Sequence, residues 1–198
     1  MNRRRLAWAT LALAGCALTS KGTPLEVRWY TPEVVRPSET DSPGARPLRL
    51  GEVHGGSALG ERIAWGDGAY QVGFYEDRRW TERPRQYVAR ALRRSLFESH
   101  RFQPAVDGVG PRLELELVEF QETRAPERHT GRVALHAQLA TDHVLFDDTI
   151  AVDEPVAGPG FDAVVAAIAR ALDRASEEVA RRSQLALESN GSRPADER

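Results

Sequence analysis

The sequence predicts an α+β fold, a single domain in which two amphipathic helices pack on one face of a mainly antiparallel or mixed sheet. Short runs in which apolar and polar residues alternate, the pattern of half-buried strands, recur along the chain. Two longer segments repeat their apolar residues at helical spacing and divide these runs into the order strands, helix, strands, helix. The length of 198 residues, of which 41% are hydrophobic, suits one core.

Four strands are expected before the first helix, at residues 25–30, 48–53, 62–65 and 70–75. The polar segment 31–46 contains prolines and is typical of a loop. The third and fourth strands flank Gly66-Asp67-Gly68. They predict a hairpin, because a glycine after aspartate supplies the positive φ that a tight turn needs.

The first helix is predicted to begin at Thr81 as its N-cap and to end near residues 98–100. Pro84 falls in the first turn, where a missing N–H costs little. One side of this helix carries apolar or small residues at helical spacing, at Val88, Ala91, Leu92, Ser95 and Leu96. The other side carries arginines and predicts a surface facing solvent or a partner, at Arg90, Arg93 and Arg94.

Alternation returns after this helix and predicts strands at 113–117, at 133–139 and, as one strand in two parts, at 144–146 and 150–152. The pattern changes phase at Leu117-Val118, which indicates a β-bulge or a change of partner strand. Asp147-Asp148 is expected to interrupt or twist the last strand. A second helix is predicted from about 162 to about 184, and 187–198 is expected to form a disordered tail.

The N-terminus has the features of a bacterial lipoprotein signal. Residues 1–5 are positively charged, and the apolar run 6–13 is too short to span a membrane. Leu13-Ala14-Gly15-Cys16 matches the lipobox, in which the cysteine thiol receives a diacylglyceryl group and the preceding peptide bond is cut. An ordinary signal peptide or a buried N-terminal helix are the alternatives.

The predicted lipid anchor indicates where the segments of the chain begin and end, and in which cellular compartment the domain lies. We expect a signal peptide at 1–15, a lipidated tether at 16–24 that begins with Cys16, and a folded domain at 25–186. Loss of the signal removes three arginines and changes the net charge from −2 to −5, which disfavours nucleic acid as a partner. Ala17 rather than aspartate follows the cysteine. In a Gram-negative host we therefore expect the outer membrane with the domain in the periplasm, or the inner membrane if sorting differs.

No catalytic group, metal or cofactor is expected. The only cysteine carries the predicted lipid, and no glycine-rich segment has the setting of a phosphate-binding loop. His136 and His143 lie on neighbouring predicted strands near Asp142, Asp147 and Asp148. Solvated strand histidines are the simpler interpretation, and a metal or acid–base site in a hydrolase is the remote alternative.

Aromatic residues cluster between the third strand and the first helix. Most are expected to lie in the core beneath the helices, and a subset predicts an apolar surface for a lipid or a partner peptide. These residues are Trp65, Tyr70, Phe74, Tyr75 and Trp80.

The order of these motifs resembles a known family. The lipobox precedes an aromatic strand that ends Trp29-Tyr30-Thr31, the strand 48–53 and the hairpin strand 72–80, which ends in Trp80. The amphipathic helix follows and ends near His100-Arg101-Phe102. This arrangement, over residues 25–186, is similar to the ABC-type transport auxiliary lipoproteins of the paraquat-inducible protein C type.

The resemblance implies a non-catalytic role beside a transporter built from an ATPase, a permease and a mammalian-cell-entry (MCE) domain protein. Such systems move lipids or other hydrophobic solutes between the two membranes, and the lipoprotein would dock their periplasmic end. Relatives form rings, which implies possible homo-oligomers. A lipoprotein that regulates or assembles another envelope machine, such as a wall synthase or a secretion channel, is the alternative.

The lipobox generates a direct test. Cys16→Ser removes the thiol that accepts the lipid, so the full-length variant should leave the membrane pellet and appear in the soluble fraction. The measurement is immunoblotting of fractionated cells, with Ser20→Ala as a matched control that should remain in the pellet. An unchanged membrane fraction for Cys16→Ser would contradict lipid anchoring.

Overall fold

The computed structural model describes residues 24–33, 46–99, 101–105 and 108–192. These residues form one domain with an open mixed sheet and two α-helices, which confirms the predicted fold class. The signal peptide, Cys16 and most of the loop 31–46 lie outside the described residues. In chain order the elements are β1 Arg28–Tyr30, β2 Arg46–Gly55, β3 Arg62–Gly66, β4 Val72–Trp80, α1 Pro84–Arg93 with a π-helical turn Arg94–Glu98, β5 Phe102–Pro104, β6 Arg112–Ala125, β7 Arg128–Ala140, β8 Val144–Pro155 and α2 Phe161–Gly191.

The sheet is organised around β6. One edge of β6 pairs antiparallel with β7 along its whole length, and β7 pairs antiparallel with β8. The other edge of β6 is shared by two strands, because β2 pairs parallel with its first half and β3 pairs parallel with its second half. β4 and the short β1 continue the sheet beyond β3, and β5 continues it beyond β2.

A β-bulge in β6 lies where its partner changes. The register with β7 shifts between Leu117 and Glu119, so the predicted bulge is confirmed. The pairing with β2 ends at Leu117, and the pairing with β3 begins at Gln121. The sheet therefore divides into two branches at residues 118–120, and the loop 56–61 connects the branches.

The β3–β4 hairpin is confirmed, with a longer turn than the sequence indicates. Asp67 organises this turn: its Oδ1 accepts hydrogen bonds from the backbone N–H of Ala69 at 2.8 Å and of Gln71 at 3.1 Å. Gly68 has a φ of 82°, the conformation that glycine adopts without strain. These bonds also lower the pKa of the Asp67 carboxyl.

Both helices pack on the same face of the sheet, as predicted. α2 contacts β6, β7 and β8, while α1 contacts β2, β6 and α2. The core lies between these two layers. Its largest fully buried side chains come from the sheet and from α1 and α2, and they include Trp80, Tyr87, Phe120, Leu48, Ile63, Leu92 and Ile168.

The start of α1 differs from the prediction. Arg83, not Thr81, is the N-cap, and its backbone N–H donates to Oε1 of Gln86 at 3.2 Å. The reason is Pro84, because the residue before a proline is held in extended backbone, as the φ of −67° and ψ of 137° at Arg83 show. Thr81 instead pairs its hydroxyl with that of Tyr87 at 2.7 Å. The predicted end of the helix near 98–100 is confirmed by the π-helical turn.

β8 and α2 are longer than predicted. Asp147 and Asp148 do not interrupt β8, because each has a partner: Gln138 donates to Asp147 at 2.8 Å, and Arg182 of α2 pairs with Asp148. α2 continues to Gly191 and buries Leu187 to 7% exposure, so the expected tail at 187–198 begins as helix.

The backbone of α2 packs directly against β7 at Gly131. A Cβ atom at this position would lie 2.4 Å from the backbone nitrogen of Ile168 and 2.6 Å from the carbonyl carbon of Ala167. Contacts this short involve helix backbone, which cannot turn away as a side chain does. Glycine at 131 therefore sets the distance between α2 and the sheet.

Gly131→Ala should force α2 away from β7 and lower the free energy of unfolding by about 3 kcal/mol. The measurement is the urea midpoint of the full-length chain. Gly60→Ala is the matched control, because a Cβ at Gly60 meets nothing within 4 Å. Equal midpoints for the two variants would contradict the backbone contact.

Candidate functional site

The five aromatic residues considered for an apolar surface do not lie together on one surface of the domain. Trp80 is 0% exposed and lies edge-on to Phe120 and Tyr87, with ring centroids 5.4 and 6.2 Å apart. The prediction that Trp80 contributes to a surface is therefore wrong, because this side chain is part of the core. Tyr70, in contrast, is fully exposed in the β3–β4 turn.

The other three aromatic residues occupy opposite faces of the sheet. Trp65 packs over Gly73 and Tyr75 packs edge-on against Phe161 of α2, with ring centroids 4.8 Å apart. Phe74 points to the helix-free face, where the guanidinium of Arg62 lies 5.0 Å from its ring centroid. The separation follows from strand geometry, since successive side chains point to opposite faces.

A buried carboxylate, Glu122 of β6, lies beside Tyr75. Its side chain is 3% exposed and accepts a hydrogen bond from the hydroxyl of Tyr75. Nη2 of Arg124 lies 2.9 Å from Oε2, and Nε2 of His129 lies 2.6 Å from Oε1. Both carboxylate oxygens of Glu122 are therefore engaged within the chain.

These contacts determine the charge of the group. Burial raises the pKa of Glu122, but the hydrogen bonds from Arg124, Tyr75 and His129 outweigh it and bring the pKa below its ordinary value of 4.5. Burial, and then the neighbouring Glu122 carboxylate, raise the pKa of Tyr75 to about 12. At neutral pH the glutamate is charged and the tyrosine keeps its proton, so the tyrosine donates.

Glu122 was not singled out from the sequence, although a signal for it existed. The alternation 113, 115, 117 places residues of odd number inward, and on that pattern Glu122 faces outward. The bulge after Leu117 reverses the phase, so Phe120 and then Glu122 face the helices. Applying the predicted bulge to the residues that follow it would have placed this carboxylate inside.

A second buried acid, Glu154 of β8, is 3% exposed. It pairs with two arginines on successive turns of α2, Arg170 and Arg174. Gly131 pairs with Glu122 on one side and with Glu154 on the other. Two buried carboxylates thus flank the point at which α2 approaches the sheet.

The two candidate histidines are not brought together. His136 lies within β7, with Nε2 3.1 Å from Oδ1 of Asp147. His143 lies in the β7–β8 turn beside Asp142, at 2.8 Å. Among the described residues, no group of three or more His, Cys, Asp or Glu side chains is placed to hold a metal ion.

The arginine side of α1 is not the free surface that the sequence indicates. Arg90 contacts the carboxylates of both Glu33 and Glu82, at 2.8 and 2.9 Å. Arg94 contacts Glu33 at 3.5 Å and Asp173 of α2 at 3.8 Å. These ion pairs tie α1 to the segment after β1 and to α2, which the helical pattern alone does not reveal. Arg93 remains exposed.

Two adjoining cavities lie at the division of the sheet. The first has a volume of about 550 Å³ and is lined by four arginines, Arg62, Arg79, Arg83 and Arg85. The second has a volume of about 660 Å³ and lies on the helix-free face, where it contacts the bulge of β6. Gly56 and Leu59 of the connecting loop line both cavities. We call the two together the branch cleft.

The charges of the two cavities differ. In the second cavity Glu119 and Arg132 pair at 2.7 Å, and Arg132 also pairs with Asp153 at 2.6 Å, so these charges compensate each other. Glu61 is the one acidic side chain that lines the first cavity within the described residues. The first cavity therefore carries an excess of positive charge.

Comparison with protein families identifies the family of this chain. Residues 32–180 match the model of the ABC-type transport auxiliary lipoprotein component. The chain belongs to this family. The resemblance to the ABC-type transport auxiliary lipoproteins is thereby confirmed for the family as a whole.

Solved structures support the fold of the family domain. A protein of Xanthomonas campestris that carries the family label DUF330 is 16% identical, and the alignment covers 84% of this chain and 100% of that one with a TM-score of 0.70. A hypothetical protein of Chlamydia trachomatis is 9% identical, with coverage of 74% and 100% and a TM-score of 0.53. Identities this low establish the shared fold alone. Comparison with curated proteins finds no match.

None of the helices in the described region combines the length and the apolar character that a membrane span needs.

Glu122 generates a prediction about pH. Because its pKa is lower in the folded protein, it contributes stability that is fully present above about pH 4.5 and is lost as the pH falls through the folded-state value. Glu122→Gln should therefore lower the free energy of unfolding by about 2 kcal/mol at pH 7. The difference from the wild-type chain should shrink towards zero in acid.

Urea denaturation at a series of pH values measures this difference. Glu116→Gln is the control, since Glu116 is an exposed residue of the same strand, and it should match the wild-type chain throughout. A deficit of Glu122→Gln that stays constant from pH 7 to acid would contradict the ionic role of Glu122.

Proposed function

We propose that the chain is a lipid-anchored, non-catalytic docking component of an MCE-type ABC transporter that moves lipids or other hydrophobic solutes across the cell envelope. The observation that carries this proposal is the match of residues 32–180 to the ABC-type transport auxiliary lipoprotein component. The lipobox at Cys16 supplies the anchor, and Ala17 favours the outer membrane over the inner one.

The sheet offers a means of docking. Within the described residues β8 pairs only with β7, so its outer edge presents backbone N–H and C=O groups over the length of a long strand. Such an edge accepts a further strand from a partner, with main-chain hydrogen bonds providing the affinity. We propose this edge as a place for the transporter's periplasmic part or for a second copy of the chain.

A binding role fits the polar groups of the described region better than a catalytic one. Glu122 has both oxygens occupied by its own neighbours, and Glu154 is covered by Arg170 and Arg174. A general acid or base needs an oxygen within reach of a substrate proton. These buried acids therefore act in the structure: Glu122 joins β4, β6 and β7, and Glu154 joins β8 to α2.

Cross-linking in intact cells tests the transport role. The full-length chain, purified after cross-linking, should carry an ATPase, a permease and an MCE-domain protein, identified by mass spectrometry. The matched control is Cys16→Ser, which should lose these partners together with the membrane. Recovery of a wall synthase or a secretion channel, with none of the three transporter parts, would replace the proposal with the alternative.

A further inference from the structure

We infer that the branch cleft binds an amphiphile with an oxyanion head, such as an alkyl phosphate or a phospholipid. The head occupies the arginine-lined cavity and the apolar tail lies along the second cavity. This inference goes beyond the docking role and does not depend on which transporter the chain serves.

The first cavity fits an oxyanion by charge and by geometry. Arg62 and Arg83 make no ion pair with any described residue, and Arg85 lies 3.8 Å from Glu52, a long contact. Arg79 is held in place by hydrogen bonds to the carbonyl oxygens of Tyr75 at 3.1 Å and Arg78 at 2.9 Å. Guanidinium groups bind phosphate and carboxylate oxygens with paired hydrogen bonds, and groups held beforehand lose less entropy on binding.

The second cavity fits an apolar tail. Its wall includes Val72 and Val118, which are 60% and 46% exposed although both are large and apolar. Phe74 and Ala64 extend the same wall. Polar side chains line it too, and its two acids are already engaged: Glu119 pairs with Arg132, and Asp67 accepts hydrogen bonds from the backbone of its own turn.

One ligand is favoured over two because the cavities adjoin each other. Gly56 and Leu59 line both, and Arg62 lines the first while its guanidinium lies over Phe74, which lines the second. A molecule that places its charge at Arg62 therefore directs what is attached to that charge along Phe74. The volumes of about 550 and 660 Å³ both lie in the range of ligand-binding pockets.

Photo-cross-linking of the full-length chain in uncharged dodecyl maltoside micelles tests this inference. The probe is dodecyl phosphate with a diazirine at the end of its chain, compared with the matched trimethylammonium probe. The phosphate probe should label peptides that contain residues 56–60, 72–74 or 118, and the ammonium probe should not. Arg62→Gln with Arg83→Gln should lower this labelling about tenfold, the loss expected when charged hydrogen bonds to the head are removed.

Matched variants distinguish binding of the charged head of the ligand from binding of its apolar tail. Arg28→Gln with Arg93→Gln removes the same number of charges, two, from exposed positions outside the cleft and should leave labelling unchanged. Val118→Gln changes an exposed residue of the tail cavity and should lower labelling without altering the thermal unfolding midpoint. It keeps the test decisive if the Arg62→Gln, Arg83→Gln variant fails to fold.

Three results would overturn the inference. Equal labelling by the two probes would remove the role of the positive charge. Equal loss of labelling in the Arg28→Gln, Arg93→Gln variant and in the Arg62→Gln, Arg83→Gln variant would reduce that role to the net charge of the surface. Abolition of labelling by millimolar inorganic phosphate would assign the arginine cavity to free phosphate and leave the tail without a site.

Discussion

The close contact between α2 and β7 at Gly131 is the constraint on which the rest of the structure depends. Because Gly131 has no side chain, the helix backbone at Ala167 and Ile168 rests directly on the strand. This closeness brings Phe161, at the start of α2, into edge contact with Tyr30 and Tyr75 on the far branch of the sheet. Gly131 therefore allows α2 to contact both the β7 strand and, through Phe161, the branch of the sheet that contains β1 and β4.

The contact of α2 with β7 at Gly131 also accounts for the position of the two buried carboxylates. Glu122 and Glu154 flank Gly131, and the desolvation of two carboxylates is costly unless each is paired. Arginine supplies most of these partners, from β6 for the first acid and from α2 for the second. The ion pairs of Arg90 and Arg94 with Glu33 likewise connect α1 to the first strand region. Many of the arginines thus hold elements together, whereas Arg62 and Arg83 of the branch cleft make no ion pair with a described residue.

Local patterns predicted the elements well and their contacts less well. The class of fold, both helices, the hairpin and the bulge at Leu117 are confirmed, because each depends on residues close together in sequence. The N-cap at Arg83 was missed because Pro84 holds the residue before it in extended backbone. The uninterrupted β8 was missed because the hydrogen bond from Gln138 to Asp147 comes from another strand. A subset of the aromatic cluster was expected on an apolar surface, and the sequence did not identify which residues, because nearness in sequence says little about which face of a sheet a residue occupies. The branch cleft depends on β2 and β3 sharing one edge of β6, a long-range arrangement that no short motif encodes.

That shared edge also has a consequence for how the chain acquires its structure. β2 and β3 both precede α1, whereas the strand that joins them follows it, so their parallel pairing closes long loops. A chain made from its N-terminus onward presents two incomplete strand edges until β6 is available. The β6–β7 hairpin, whose contacts are local, is then the natural early unit on which the earlier strands assemble. The position of β6 late in the chain thus leaves the pairing edges of β2 and β3 open until the second half of the domain is present.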